Sequence, residues 1–117
     1  MITVYTCENC DTCRRATKWL RARRIEFVEK PIRETPPSPR ELRAMLAHQD
    51  SDLRRLFNTA GRDYRAAGLK EKLPHLSTAE ALALLAANGR LVKRPFLLGP
   101  NAGLVGFDEA AWQEALG

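Results

Sequence analysis

The placement of the cysteines constrains this chain more than any other feature. All three, Cys7, Cys10 and Cys13, fall within one short stretch. They follow the β-favouring run Ile2, Val4, Tyr5 and precede a segment in which Cys13, Ala16, Trp19 and Leu20 recur at helical spacing. That spacing predicts a strand, then a helix over about residues 11–23 with one apolar and one strongly basic face. Ile25-Glu26-Phe27-Val28-Glu29 alternates as a half-buried second strand should, closed by Pro31. The chain therefore opens as a βαβ unit with a C-x-x-C pair, Cys10 and Cys13, where the first strand hands over to the helix.

An odd, clustered set of thiols is not the framework of a disulfide-stapled domain. Met1-Ile2-Thr3-Val4-Tyr5 lacks the basic and long apolar regions of a secretion signal. No apolar run approaches the ~18 residues of a transmembrane helix, so a cytoplasmic protein is expected. At 117 residues the chain has the size of one domain, and 44% hydrophobic with 28% charged residues is an ordinary globular composition. The net charge of +5 is densest at Arg14, Arg15, Lys18, Arg21, Arg23 and Arg24. Without a recognisable nucleic-acid motif this reads as a solvated helix face with no direct nucleic-acid contact. A basic rim does favour anionic substrates or acidic partners.

The rest of the chain supplies a helical middle and a β-β-α end. Ser38-Pro39-Arg40-Glu41 and Ser77-Thr78-Ala79-Glu80 have the form of capping boxes. The first opens a helix through Leu42, Met45 and Leu46; the second opens one through Leu82, Leu85 and Ala86, with Asn88-Gly89 as its stop. Leu53, Leu56 and Phe57 suggest a short helix started by Asp50 or Ser51, while residues 58–76 show no clear period. Phe96-Leu97-Leu98 and Leu104-Val105 form a hairpin around Gly99-Pro100-Asn101-Ala102-Gly103. Asp108 caps a last helix with Ala111, Trp112 and Leu116 on its face. The expectation is an α/β fold, β-α-β then helices then β-β-α, with a small mixed four-stranded sheet.

The junction is a chemically sensible place for a reactive thiol. The thiolate is the reactive species, and the free N–H groups and dipole of a helix N-terminus stabilise it. Arg14 and Arg15 act in the same direction, whereas Asp11 opposes them unless turned away as a cap. Cys10 is then the exposed nucleophile and Cys13, one turn deeper, the resolving thiol. Cys7 reads as a buried strand-end residue or an alternative resolving thiol. C-x2-C-x2-C also invites a metal, but the fourth position of a ferredoxin run is Thr17, followed by Lys18, and zinc requires a fourth ligand. No metal site is expected.

Val4 to Ala16 with Trp19-Leu20 resembles the opening of the ArsC/Spx family: glutaredoxin-coupled arsenate reductases, Spx redox regulators of RNA polymerase, and YffB-like proteins. Lys93-Arg94-Pro95-Phe96-Leu97-Leu98, followed by Leu104-Val105-Gly106-Phe107, resembles its second signature. Leu56-Phe57-Asn58-Thr59 with Gly61 and Tyr64 resembles the middle of the YffB-like branch. The resemblance implies a monomeric thioredoxin-like fold with a helical insertion over about residues 36–89. It implies a cis peptide at Pro95 beside Cys10, and Arg94 reaching towards Cys10 as an oxyanion donor. Arg14, Asn58, Thr59 and Pro95 are the accompanying candidate substrate contacts. No cofactor is expected to be bound; glutathione, glutaredoxin or thioredoxin would restore the thiols.

Of the three arginines that surround the oxyanion in such arsenate reductases, only Arg94 is matched here. Asn58 holds the middle position, and Gly106 or a neighbour the last. Two missing donors weaken arsenate binding by several kcal/mol if each charged hydrogen bond contributes roughly 1.5–3, with Arg55 and Arg62 as the candidates to compensate. The alternative implied by the Spx branch is a redox-switched regulator binding the RNA polymerase α subunit without turnover.

Overall fold

The computed structural model describes residues 1–117. Its centre is a four-stranded mixed sheet in the order β2-β1-β3-β4, made of β1 (Ile2–Thr6), β2 (Phe27–Pro31), β3 (Phe96–Leu98) and β4 (Gly103–Val105). β1 runs parallel to β2, with Ile2 opposite Phe27, and antiparallel to β3, with Val4 opposite Leu97. β3 and β4 close the antiparallel hairpin. α1 (Asp11–Ala22) connects β1 to β2.

β2 lies later in the chain than its alternation suggested. Parallel pairing with β1 sets the register, and this edge strand is too exposed for its hydrophobic pattern to mark the ends. Ile25 still packs beneath α1, after a turn in which Arg24 takes a positive φ of 57°. Pro31 is tolerated in β2 because an edge position need not donate to a ladder.

The two-residue period of the central strands sends side chains alternately into two cores. Val4 and Leu97 face Ala16, Trp19 and Leu20 of α1 and Trp112 of α6 (Glu109–Leu116). Tyr5 and Phe96 face the other way, edge to face at 5.7 Å, into the larger core under the helical segment. The molecule therefore has three layers: α1 and α6, the sheet, and the middle helices. The basic stripe of α1 is partly spent on packing, since Arg23 lies 4.0 Å from the Trp19 ring and donates to Gln113.

The middle helices are α2 (Pro39–His48), α3 (Arg62–Ala66), α4 (Leu69–Lys72) and α5 (Thr78–Ala87), with 3-10 turns at Leu53–Leu56, Leu73–His75 and Gly89–Leu91. α2 and α5 begin at complete capping boxes. Ser38 Oγ accepts from the Glu41 N–H at 3.1 Å and Glu41 Oε1 accepts from the Ser38 N–H at 3.0 Å; Ser77 and Glu80 repeat the pattern.

Three details differ from the sequence expectation. Asp50 and Ser51 both have positive φ, so neither starts the next helix; Asp52 does, and the helix is a single 3-10 turn. Phe57 leaves that turn extended and bridges to Val92. Asn88 ends α5 in an extended conformation, and Gly89 begins a 3-10 turn instead of a left-handed cap. Glycine is required there for space, because a Cβ would sit 1.9 Å from the Ile32 carbonyl oxygen. No helix is long and apolar enough to cross a membrane.

Candidate active site

The end of β1, the residues after it and the first turn of α1 bring the three thiols together. Asn9 makes the turn at φ 56°, a left-handed conformation that asparagine tolerates better than most residues. Cys10 then takes the extended conformation of an N-cap. Its Sγ accepts a hydrogen bond from the Cys13 N–H at 3.3 Å, doing with sulfur what serine usually does with oxygen. Cys7, Cys10 and Cys13 place their Sγ atoms within 4.8 Å of one another. Cys13 is buried on the apolar face of α1, while Cys7 and Cys10 are half-buried.

The three thiols are electrostatically unequal. Burial pushes the Cys10 thiol up, but hydrogen bonds from the Cys13 thiol and N–H, a further one from Cys7, and the attraction of Arg94 together hold it below the ordinary cysteine value. Cys13 is pushed far up, first by burial and then because its S–H is engaged by Cys10. Cys7 is also raised, by burial foremost, with Arg94 acting against the shift. Cys10 is thus the one thiol of the three favoured as thiolate, and it has a protonated thiol on each side.

Arg94 precedes Pro95 through a cis peptide bond. The loop carrying them is tied across the sheet: the Gly106 N–H donates to the Pro95 carbonyl at 2.9 Å, and the Gly106 carbonyl accepts from Trp112 Nε1 at 3.0 Å. Arg94 Nη1 also donates to the Val92 and Arg90 carbonyls at 3.3 Å, which anchors one end of its guanidinium. Next to it, Asn58 N–H donates to Leu91 O at 2.7 Å and Lys93 N–H to Leu56 O at 2.8 Å. This antiparallel stitch sets Asn58 opposite Leu91, and the Arg94 side chain, turned back towards the Arg90 and Val92 carbonyls, lines the same cleft as Asn58.

Asn58 and Arg94 line a cleft of about 380 Å³ with Arg33, Arg62, Arg90 and Asp63, and no hydrophobic side chain contributes to its wall. None of its arginines has a salt-bridge partner; the chain's two ion pairs are Arg14–Asp11 and Arg21–Glu29. Asp63 is occupied by Asn88 Nδ2 at 2.9 Å. Arg62 thus shares the cleft with Arg94, whereas Arg55 lines a separate hollow with Thr59 and Lys93. Arg14 lies on the exposed side of α1 against Asp11, and this pairing neutralises the carboxylate that would otherwise oppose a thiolate. The structure therefore brings together Cys10, Cys13 and Arg94 electrostatically and Arg94 with Asn58 spatially, and it places Thr59 and Arg14 outside that cleft. Arg33 and Arg90 are cleft residues that sequence reasoning missed, since neither belongs to a motif and they meet only through the close approach of Gly89 to Ile32.

A model described as the ArsC family matches residues 5–115. The chain is 44% identical over 113 residues to YusI, an uncharacterized protein of Bacillus subtilis, covering 97% of this chain and 96% of YusI. It is 30% identical to the global transcriptional regulator Spx of Enterococcus faecalis, covering 93% of this chain and 81% of Spx. The crystal structure of a possible arsenate reductase from Streptococcus mutans superimposes with a TM-score of 0.85 at 39% identity, covering 92% of this chain and 91% of that one.

Proposed function

The chain belongs to the ArsC family, with its thioredoxin-like fold, and we propose that it is a thiol oxidoreductase in which Cys10 is the nucleophile and Cys13 the resolving thiol. The observation that carries this reading is the inequality of the two: Cys10 caps α1, accepts from its neighbours and is favoured as thiolate, while Cys13 is held protonated one turn below it. A low-pKa attacking thiol beside a high-pKa partner is the arrangement in which one sulfur is charged at rest and the other deprotonates only when it reacts.

With a disulfide substrate, the Cys10 thiolate attacks one sulfur, forming a mixed disulfide and releasing the other half as a thiolate. Cys13 then gives up its proton and attacks Cys10 Sγ, forming the Cys10–Cys13 disulfide and releasing the second half. Glutathione, glutaredoxin or thioredoxin supplies the two electrons that restore both thiols. With arsenate as oxidant the same two electrons leave Cys10 and a resolving thiol, either Cys13 or glutathione, and arsenic departs in its trivalent state. Arg94, Asn58 and the arginines of the adjoining cleft support an anionic substrate, because unpaired guanidiniums hold oxyanions and carboxylates in two-pronged fashion. Arg62 supplies the cleft with a further guanidinium, in compensation for the family arginine positions that hold Asn58 and Gly106 here.

Coupled NADPH oxidation with glutathione, glutaredoxin and glutathione reductase tests the reading, with arsenate in one arm and a small anionic disulfide in another. Turnover in at least one arm that is abolished in Cys10→Ser is the expected result. No turnover in either arm, with redox-dependent capture of the RNA polymerase α subunit, would replace the enzyme with an Spx-like switch.

A further inference from the structure

The thiol cluster contains one sulfur more than disulfide exchange uses. Cys7 takes no part in the exchange between Cys10 and Cys13, yet its Sγ belongs to the same group, with all three atoms inside 4.8 Å. The three come from separate local structures: the residue after β1, the cap of α1, and the first turn of α1. The strand end thus brings Cys7 to the two thiols that the start of α1 already holds one turn apart. The backbone already holds the three sulfurs within 4.8 Å of one another, the proximity that shared binding of one centre needs.

Three further observations narrow what such a centre takes. The cluster includes no histidine or carboxylate, so a fourth protein ligand is missing and the tetrahedral set that structural zinc requires cannot close. Its donors are all sulfur, which selects soft, thiophilic ions over oxygen-seeking ones. Finally, Cys13 is 3% exposed and Cys7 packs against the larger core, so a net charge left on the complex would be costly. Three thiolates around a trivalent centre are neutral, and a trivalent centre of the arsenite type accepts three donors with a lone pair in the fourth direction.

We propose that Cys7, Cys10 and Cys13 form a three-thiolate binding site for a trivalent, three-coordinate thiophilic centre, with arsenite as the accessible probe. Loading is a condensation without redox change: three S–H groups and As(OH)3 give As(S)3 and three waters, each thiol proton leaving with one hydroxyl. The site does not depend on catalytic turnover, and it exists only in the reduced protein. Occupancy and the Cys10–Cys13 disulfide exclude each other, so a bound trivalent centre shuts off thiol exchange.

The test is native mass spectrometry of the reduced full-length protein with sodium arsenite, alongside a titration of wild type and Cys7→Ala. The expected adduct is one arsenic gained with three hydrogens lost, and affinity in Cys7→Ala falls at least about tenfold because a tethered third thiol acts at millimolar or higher effective concentration. An adduct that retains a hydroxyl and loses only two hydrogens would overturn the proposal, leaving a two-thiol site on Cys10 and Cys13. Equal affinity of wild type and Cys7→Ala would do the same, as would stoichiometric zinc retained through gel filtration. If Cys7→Ala does not fold, the hydrogen count on wild type decides alone. Arsenate turnover is read in a separate assay, so loss of either result leaves the other standing.

Discussion

Replacing Gly89 with alanine probes the joint that builds the arginine cleft. Gly89 has an ordinary negative φ, so no backbone strain is involved, and at a permissive site glycine to alanine stabilises by about 0.4–1 kcal/mol. Here the new methyl would lie 1.9 Å from Ile32 O, 2.7 Å from Ile32 C and 3.0 Å from Arg33 Cα. Those atoms are backbone, and Ile32 is fully buried, so they cannot rotate away. The segment after β2 and the 3-10 turn would have to part by more than an ångström. Overpacking of this kind costs about 3 kcal/mol, the upper end of its usual range, leaving a net loss of about 2–3. For a domain of this size that lowers Tm by roughly 10 °C, read by calorimetry or far-UV circular dichroism. Because Arg33 and Arg90 flank the joint, KM for an anionic substrate should rise as well. Gly68→Ala is the contrasting control: φ is 64° and the nearest atom to a new Cβ is Lys72 Cε at 3.8 Å, so its loss of about 1 kcal/mol is conformational. An unchanged or raised Tm in Gly89→Ala would refute the close-approach argument.

Other consequences concern charge and protonation. Arg94→Met removes the cation that favours the Cys10 thiolate, so Cys10 alkylation at neutral pH should slow several-fold while Arg94→Lys retains part of the rate. Arg62→Ala should raise KM for an anionic substrate about tenfold and leave a neutral disulfide unaffected, a contrast that added salt reduces. Cys13 has a folded pKa well above its unfolded value of about 8.5, so its contribution to stability is fully present below that value and lost as pH rises towards the folded one. Thermal melts should therefore fall as pH rises above about 8.5 in the reduced wild type and fall less in Cys13→Ala. Ser77→Ala removes half of a capping box and should cost about 1 kcal/mol, measurable by urea denaturation.

The parts of this fold that were legible in the sequence are those decided by local chemistry. Ser38 with Glu41 and Ser77 with Glu80 announce helix starts because the same short side chains satisfy the same orphan N–H groups wherever they occur. Val4-Tyr5 and Phe96-Leu97-Leu98 show as unbroken apolar runs because both faces of the central strands are covered. α3 and α4 were not legible: they are too short to carry a period, and Tyr64, Leu69 and Leu73 are recognised as apolar face only once the core they enter exists. The thiol pair was legible from its spacing at a strand end. The arginine cleft was not, since Arg33 follows β2, Arg62 opens α3 and Arg90 lies in a 3-10 turn, and they meet only after β2 and the turn at Gly89 have packed.

The central claim, that one thiol of the cluster is activated and its neighbours are not, is tested most directly by residue-resolved alkylation kinetics. Fully reduced protein is quenched with iodoacetamide over time between pH 5 and 9, and each cysteine is quantified by mass spectrometry. Cys10 should react first at neutral pH and keep its rate at pH values where an ordinary thiol has slowed, with Cys13 reacting last. Equal rates for Cys7, Cys10 and Cys13, or a Cys10 profile rising only above about pH 8.5, would contradict the account.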